Sequence, residues 1–539
     1  MQGSGRSKLL EAGSALRSVD WSVWLAVWIS CLVSSFLGAP VPGVNEPHYL
    51  ALARSFVEPG WCARDPFLQS TPVHWAFLAL VGWPVRWWGF ETAAIVGRVL
   101  GCGAISVGWA VLMGRLAPIR WFPLWTLWGT LAAAAVGNFS GEWMIGGIEG
   151  KVFAYGAVFG SLACLSRGKI HQGVFWTGVV LAFHPVVGMW HLLAVVGSFV
   201  VLRLFPRVVS GSELKCEDVA LPERFKGGLW CGGILCGFIG MIPAVMLLVN
   251  VDPELARRGT EIQVYDRLAH HLNPVVFPAK AYLSYGVLLL AGLMLVPCTP
   301  RNRCWQFCQW YVGWCVLFAL AGVCVGFIPV WFPGSSWNNS VPRLLKFYPF
   351  RLADVLLPWF VIANFFAMFW RSNWPRALAG GGLRSRLMTA VTGVAWLGIL
   401  LLVSRSEQSP ALTRREVSDW RETCDWIRTN TPSDALCTTT RRGWAFKWYA
   451  QRAEFFSYKD APQDAAGLVA WEERQKLLWE LFAERFSRSG LVTLREKTGC
   501  DYAVLGRATP CDLPPTFENR SFAVYDLRGL ENGGGICSR

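Results

Sequence analysis

Apolar runs recur along the chain from Trp21 to Val403, separated by short polar loops. Each is about 17–25 residues long, enough for a helix to cross the hydrocarbon core of a bilayer. The pattern predicts an all-α polytopic membrane domain of about ten spans over residues 1–404. After Ser404 the periodicity changes. "EVSDWRETCDWIRTNTPSDALCTTT" reads as an amphipathic helix, a Thr-Pro turn and a strand. "GCDYAVLGRATPCDLPPTFENRSFAVYDLR" reads as two short strands around a proline-rich loop, and the terminal "ENGGGICSR" as loose. Residues 405–539 are therefore expected to form a small α/β domain.

Composition agrees with a membrane class: 53% hydrophobic and 16% charged residues, 31 Trp, and a mean hydropathy of +0.35. A net charge of +14 raises the question of nucleic acid. The excess is concentrated in six loops (1–20, 114–121, 166–172, 203–226, 298–303 and 371–386), which hold 18 Lys/Arg against 6 Asp/Glu. That partition follows the positive-inside rule and argues against a nucleic-acid footprint. With those loops cytoplasmic, residues 39–72, 138–150, 251–279, 332–350 and the tail after Ser404 fall outside. Only one net crossing then fits between Pro72 and Arg115. "VHWAFLALVGWPVRWWGF" (73–90), with Pro84, Arg86 and four Trp, reads as a helix lying in the outer interface. Two full spans there would invert the sides. The first run, Trp21 to Gly38, is long for a signal peptide and reads as a retained anchor.

The outer segments carry the candidate chemistry. In "NEPHYLALARSF" (45–56), Tyr49, Leu52, Ala53 and Phe56 share one helix face, Asn45 is a favoured N-cap, and Pro47 suits the first turn. Glu46 then stands at the positive end of the helix dipole. It reads either as an ordinary first-turn acid or as a functional one. "GEWMIGGIEGKVFAY" sets Glu142, Glu149 and Lys151 at the mouth of a span, either as an interfacial pair or as an acid beside a phosphate-binding lysine. "DPELARRGTEIQVYDRLAHHLNP" (252–274) is expected to be a helical loop over that mouth, its adjacent His270 and His271 pointing too far apart to chelate one ion. "WNNSVPRLLKFYPFRLADVLLP" offers Arg343, Lys346 and Arg351 as a basic rim for a lipid phosphate, with an Arg351–Asp354 helical pair as the alternative. His184 and His191 lie within apolar sequence and read equally as functional groups or as helix-to-helix hydrogen bonds. Most of the 17 cysteines read as small hydrophobes. Cys304 and Cys308 are expected to pack rather than bind metal, and Cys500 and Cys511 are candidates for a disulfide.

The order "NEPHYLALARSF", "STPVHWAFLALVGWPVRWWGF", "ETAAIVGRVL" resembles the GT-C superfamily of membrane glycosyltransferases, especially the bacterial lipid A aminoarabinose transferases and the protein O-mannosyltransferases. Stretches such as "GGIEGKVFAY" also look like an uncharacterised bacterial membrane family. The likeness covers residues 20–115 most closely. It implies a sugar donor linked to polyprenyl phosphate, a lipid, glycan or protein acceptor, and a site at the outer face of a bacterial inner membrane, with the N-terminus cytoplasmic. No cofactor is required by this reading, although a divalent cation is compatible with it, and no nucleic acid partner is expected. Glu46 would be the base and Glu149 a second acid. Lys151, Arg343, Lys346 and Arg351 would hold the phosphate, His48 would orient Glu46 or touch the acceptor, and His270 would touch substrate. One position departs from the pattern: the first acid of the family's pair, which carries the catalytic role, is Asn45 here. An amide cannot act as a general base. Either Glu46 or another acid replaces it, or the chain is a non-catalytic lipid-handling or transport protein on the same scaffold.

Overall fold

The protein is an integral membrane protein built mostly of apolar helices. The computed structural model describes residues 20–43, 45–204, 227–371, 383–404, 412–440, 443–483 and 486–530. Among them, seven helices are long and apolar enough to cross a membrane: Trp21–Gly38, Trp75–Leu116, Pro185–Leu204, Gly227–Met246, Ala279–Cys298, Arg303–Trp331 and Arg351–Met368. Shorter apolar helices span Phe122–Gly137, Gly150–Leu165, Ile170–Phe183 and Thr389–Leu401. Most of the basic loops at 1–20, 203–226 and 371–386, and the "ENGGGICSR" end, lie outside the described residues.

The stretch Trp75–Leu116 is two helices rather than one rod. At Gly89 the backbone turns to φ 80°, ψ 172°, a conformation open to glycine and strained for other residues. Before the break, Leu80, Trp83, Trp87 and Trp88 are exposed, and Gly82 sits so close to the Ala53 carbonyl that a Cβ would meet it at 2.3 Å. This first part therefore lies directly on the helix Glu46–Val57. After the break, the second part packs against Gly150–Leu165. Small residues let apolar helices approach where no hydrophobic driving force exists between them. The tightest case is Ile170–Phe183 against Gly227–Met246: a Cβ at Gly178 would fall 1.9 Å from the Gly233 carbonyl, and one at Gly240 1.9 Å from that of Leu181.

Tryptophan serves inside as well as at the interfaces. Trp109, Trp305 and Trp359 are fully buried, and the indoles of Trp109 and Trp305 donate to the carbonyls of Pro123 and Leu116, both at 2.8 Å. These two buried N–H groups thus find a partner, as a ring in such surroundings needs.

The tail folds as a five-stranded sheet flanked by helices. The helix Arg414–Asn430 starts with a capping box between Thr413 and Glu416. Strands β1 (Leu436–Thr438), β2 (Ala453–Glu454), β3 (Tyr502–Gly506), β4 (Phe517–Glu518) and β5 (Phe522–Asp526) follow in the spatial order β2-β1-β3-β5-β4. β1 runs parallel to β2 and β3, while β3–β5 and β4–β5 are antiparallel. The last segment thus contains three strands where the sequence pattern predicts two. β4 is a two-residue pairing within the proline-rich loop, too short to show a periodicity. Cys500 and Cys511 are free thiols, which corrects the expected disulfide. Cys500 is buried at the foot of β3, whereas Cys511 is held in a bridge to Phe486.

This domain rests on the membrane helices through a shared apolar core that includes Leu50, Ala53, Phe77, Val81, Leu436, Trp448 and Ala503. A buried charge cluster reinforces the joint. Lys447 Nζ lies 2.7 Å from Asp460, 3.1 Å from Asp65 and 3.2 Å from Glu454. Asp460 in turn holds His48 Nδ1 at 2.9 Å, which ties the tail to the helix Glu46–Val57. Asp460 is held below the usual carboxylate range by Lys447 and His48, against the opposing effect of burial. Burial raises Glu454 to about 7.

Candidate functional site

The segments that the charge pattern assigns to one side converge on a single cavity of about 690 Å³. Its walls come from residues 45–49, 73–74, 140–151, 184–186, 244–271, 343–351 and 459–468. Two carboxylates, Glu142 and Glu149, face it among six cations: Lys151, Arg267, Arg343, Lys346, Arg351 and Lys459. One wall is apolar, formed by Ala244, Leu247, Leu248 and Val251 at the end of a span.

Glu149 precedes the helix Gly150–Leu165 and is only 3% exposed. Its Oε1 accepts a 2.6 Å hydrogen bond from Asn45 Nδ2, and Oε2 lies 3.5 Å from Lys151 Nζ. Burial raises its pKa, opposed by the Lys151 charge and the Asn45 bond. Asn45 therefore does not cap its helix as its residue type predicts. Its side chain makes no capping bond and reaches Glu149 instead. Lys151 also stands 3.6 Å from Glu142 and lies over the Trp143 ring at 3.5 Å. Both alternatives read from "GEWMIGGIEGKVFAY" are thus compatible: the local pair exists, and it faces the cavity.

Arg351 is not paired with Asp354. Its Nε lies 3.1 Å from Glu142 Oε2, its Nη1 contacts His184 Nε2 at 2.8 Å, and its guanidinium lies 4.0 Å over the Tyr348 ring. Asp354, fully buried, instead accepts from Phe139 N (3.0 Å), Ser140 N (2.8 Å) and Ser140 Oγ (2.7 Å). It thereby fixes the turn that carries Glu142. Arg343 is an exposed rim residue and Lys346 is half-buried beside it.

The segment 252–274 is helical, as expected, with helices at Pro253–Glu261 and Ala269–Leu272 around a π-turn at Ile262–Arg267. His270 is exposed at the cavity edge, and His271 is turned onto the Ser140 carbonyl. Burial lowers His271 to about 3, so it stays neutral. His184 lines the cavity, but His191 does not. His191 is buried and satisfied by Tyr311 at 2.7 Å, Ser161 at 3.1 Å and Thr177 at 3.2 Å. No group of three or more His, Cys, Asp or Glu side chains suited to a metal ion occurs among the described residues. Cys304 is half-buried and Cys308 buried on the helix Arg303–Trp331.

Glu46 is the residue whose placement departs most from expectation. It is fully buried, is not among the cavity-lining residues, and is sealed by four donors. Arg98 Nε and Ile148 N bond Oε1 at 2.6 and 2.8 Å, and Arg98 Nη2 and Gly43 N bond Oε2, both at 2.6 Å. A base needs a lone pair directed at substrate, and this carboxylate has none to spare. Arg98 was not singled out by sequence, although an Arg inside an apolar span costs much unless paired and so signals a buried acid. Arg267 and Lys459 were also missed, the latter because nothing local marks "SYKDAP" as facing a site nearly 200 residues upstream.

A family profile described as a domain of unknown function (DUF6798) matches residues 418–478, the first part of the tail domain. No curated protein matches the chain. Among solved structures, the crystal structure of ArnT from Cupriavidus metallidurans bound to undecaprenyl phosphate is similar at 13% identity, covering 95% of this chain and 99% of that one, with a TM-score of 0.49.

Proposed function

We propose that the protein is a membrane glycosyltransferase of GT-C type that moves a sugar from a polyprenyl-phosphate-linked donor to an acceptor hydroxyl at the outer face. The observation that carries this reading is the cavity with two buried carboxylates set among six cations beside an apolar wall. A phosphorylated isoprenoid needs such a combination: fixed cations for the leaving phosphate and an apolar surface for the chain. In this reading Glu149 is the general base, held by Asn45 and raised by burial toward the working pH. It takes the proton of the acceptor hydroxyl as that oxygen bonds to the anomeric carbon. The bond from that carbon to the phosphate oxygen breaks, and the phosphate leaves with the electron pair, neutralised by Arg351, Arg343, Lys346 and Lys151. Glu142 orients Arg351 and Lys151. Glu46 is a structural acid, and Asn45 replaces a base by positioning one. The short helix at 75–88 would lie in the outer interface, with the tail domain outside. The lipid-handling alternative needs a polar path through the bilayer past His184 and His191. His191 is instead enclosed by its own hydrogen-bond partners and does not line the cavity.

The test is transfer from radiolabelled polyprenyl-phosphate sugars in membranes. Glu149→Gln is expected to abolish transfer while preserving folded protein and donor binding. Transfer at the wild-type rate in that variant would remove the base assignment, and no transfer by wild type with any such donor would remove the enzyme reading.

A further inference from the structure

Four of the six cavity cations have no carboxylate partner: Lys151 and Arg351 are matched by Glu142 and Glu149, whereas Arg267, Lys459, Arg343 and Lys346 make no ion pair within the described residues. They fall into two groups. Arg343 and Lys346 belong to the rim segment beside Arg351. Arg267 ends the π-turn Ile262–Arg267, where it meets the tail domain, and its Nη2 donates to the Lys459 carbonyl at 2.9 Å. Arg267 is only 9% exposed, and its Nε is buried with no hydrogen-bond partner. Leaving a charged donor unmade inside a protein is costly unless a ligand completes it. Lys459 lines the same cavity, and its ammonium has no hydrogen-bond partner among the described residues. The Tyr348 ring lies under Arg351 and within electrostatic reach of Arg267.

We infer that Arg267 and Lys459 form a second oxyanion site, distinct from the rim that takes the donor's phosphate, for a further phosphate group carried by one of the substrates. The assignment of the first phosphate to the rim rests on the proposed function; the second site itself does not. Its phosphate comes either from a donor linked through diphosphate or from a phosphorylated acceptor. Arg267 supplies a planar donor suited to phosphate oxygens, and Lys459 a mobile point charge. The tail domain thus contributes a binding group to the membrane cavity rather than only covering it.

The experiment uses the full-length protein in nanodiscs, with inorganic phosphate, a polyprenyl monophosphate and the matching diphosphate as probes. Wild type is compared with Lys459→Met, Lys459→Glu and, as the charge-preserving control, Lys459→Arg. A diphosphate that binds at least about tenfold tighter than the monophosphate, with the difference lost in Lys459→Met, places the second phosphate on the donor. Equal affinity for the two lipids, with inorganic phosphate binding to the monophosphate-loaded protein and lost in Lys459→Met but kept in Lys459→Arg, places it on the acceptor. If the monophosphate does not bind wild type, the donor reading fails, and phosphate binding lost in Lys459→Glu but kept in Lys459→Arg still supports the site. Inorganic phosphate and diphosphate binding unchanged in both Lys459→Met and Lys459→Glu would overturn it.

Discussion

Glu46→Gln separates a structural acid from a catalytic one. Glu46 and Arg98 are both buried, at 0% and 1% exposure. The carboxylate receives two bonds on each oxygen. Glutamine keeps one oxygen, and its amide nitrogen replaces the other. That nitrogen then faces two donors, either Gly43 N and Arg98 Nη2 or Arg98 Nε and Ile148 N. The buried guanidinium also loses its counter-charge, retaining only carbonyls such as that of Ser35 at 3.1 Å. Breaking one partner of a buried pair costs about 3–5 kcal/mol, against a typical total stability of about 5–15 kcal/mol. Glu46→Gln should therefore lower the unfolding temperature markedly, and added salt should not change the effect because the pair is sealed from water. The assay is thermal unfolding in nanodiscs alongside transfer activity normalised to folded protein. The double variant Glu46→Leu with Arg98→Met should be less destabilised than the sum of its single variants, since no unpaired charge remains. A Glu46→Gln protein that unfolds with wild type yet has lost all transfer would refute the reasoning and return Glu46 to the chemistry.

Three other outcomes follow from the same geometry. Lys459 is held at about 8 by burial and by the charges of Arg267 and Lys151, with Glu149 and Asp460 opposing. Its ammonium therefore prevails below that pH, so phosphate affinity should fall by up to about tenfold per unit above pH 8, while Lys459→Arg stays flat in a binding titration. Gly240→Val places a branched side chain onto the Leu181 carbonyl; overpacking of about 1–3 kcal/mol or more should appear as reduced folded yield on size-exclusion chromatography. Lys447→Met leaves Asp65, Glu454 and Asp460 buried without their cation. Limited proteolysis should show the tail domain opening, at a cost of about 3–5 kcal/mol. The defect should shrink as pH drops and Glu454 takes up a proton; because Lys447 is among the groups that hold Glu454 down to about 7, its removal moves that uptake to higher pH.

The membrane class and the tail's α/β character were legible because apolar run length and periodicity are local properties. So were the amphipathic helix at 46–57, the helical loop at 252–274 and the wall segments around 45–49, 140–151 and 343–351. Chain order and loop charge even gathered most of the site residues onto one side: Glu149, Lys151, His48, His270, Arg343, Lys346 and Arg351 all line the cavity. What linear order could not say is which acid faces the cavity. That choice depends on pairings between distant residues: Glu46 with Arg98 at 52 residues, Asn45 with Glu149 at 104, and His48 with Asp460 at 412. Glu46 is enclosed by four donors away from the cavity, whereas Glu149 is held by an amide and a lysine at the cavity wall. Residue type is the same in both cases. Only packing in three dimensions decides which environment each acid receives, because burial and charge pairing act through space.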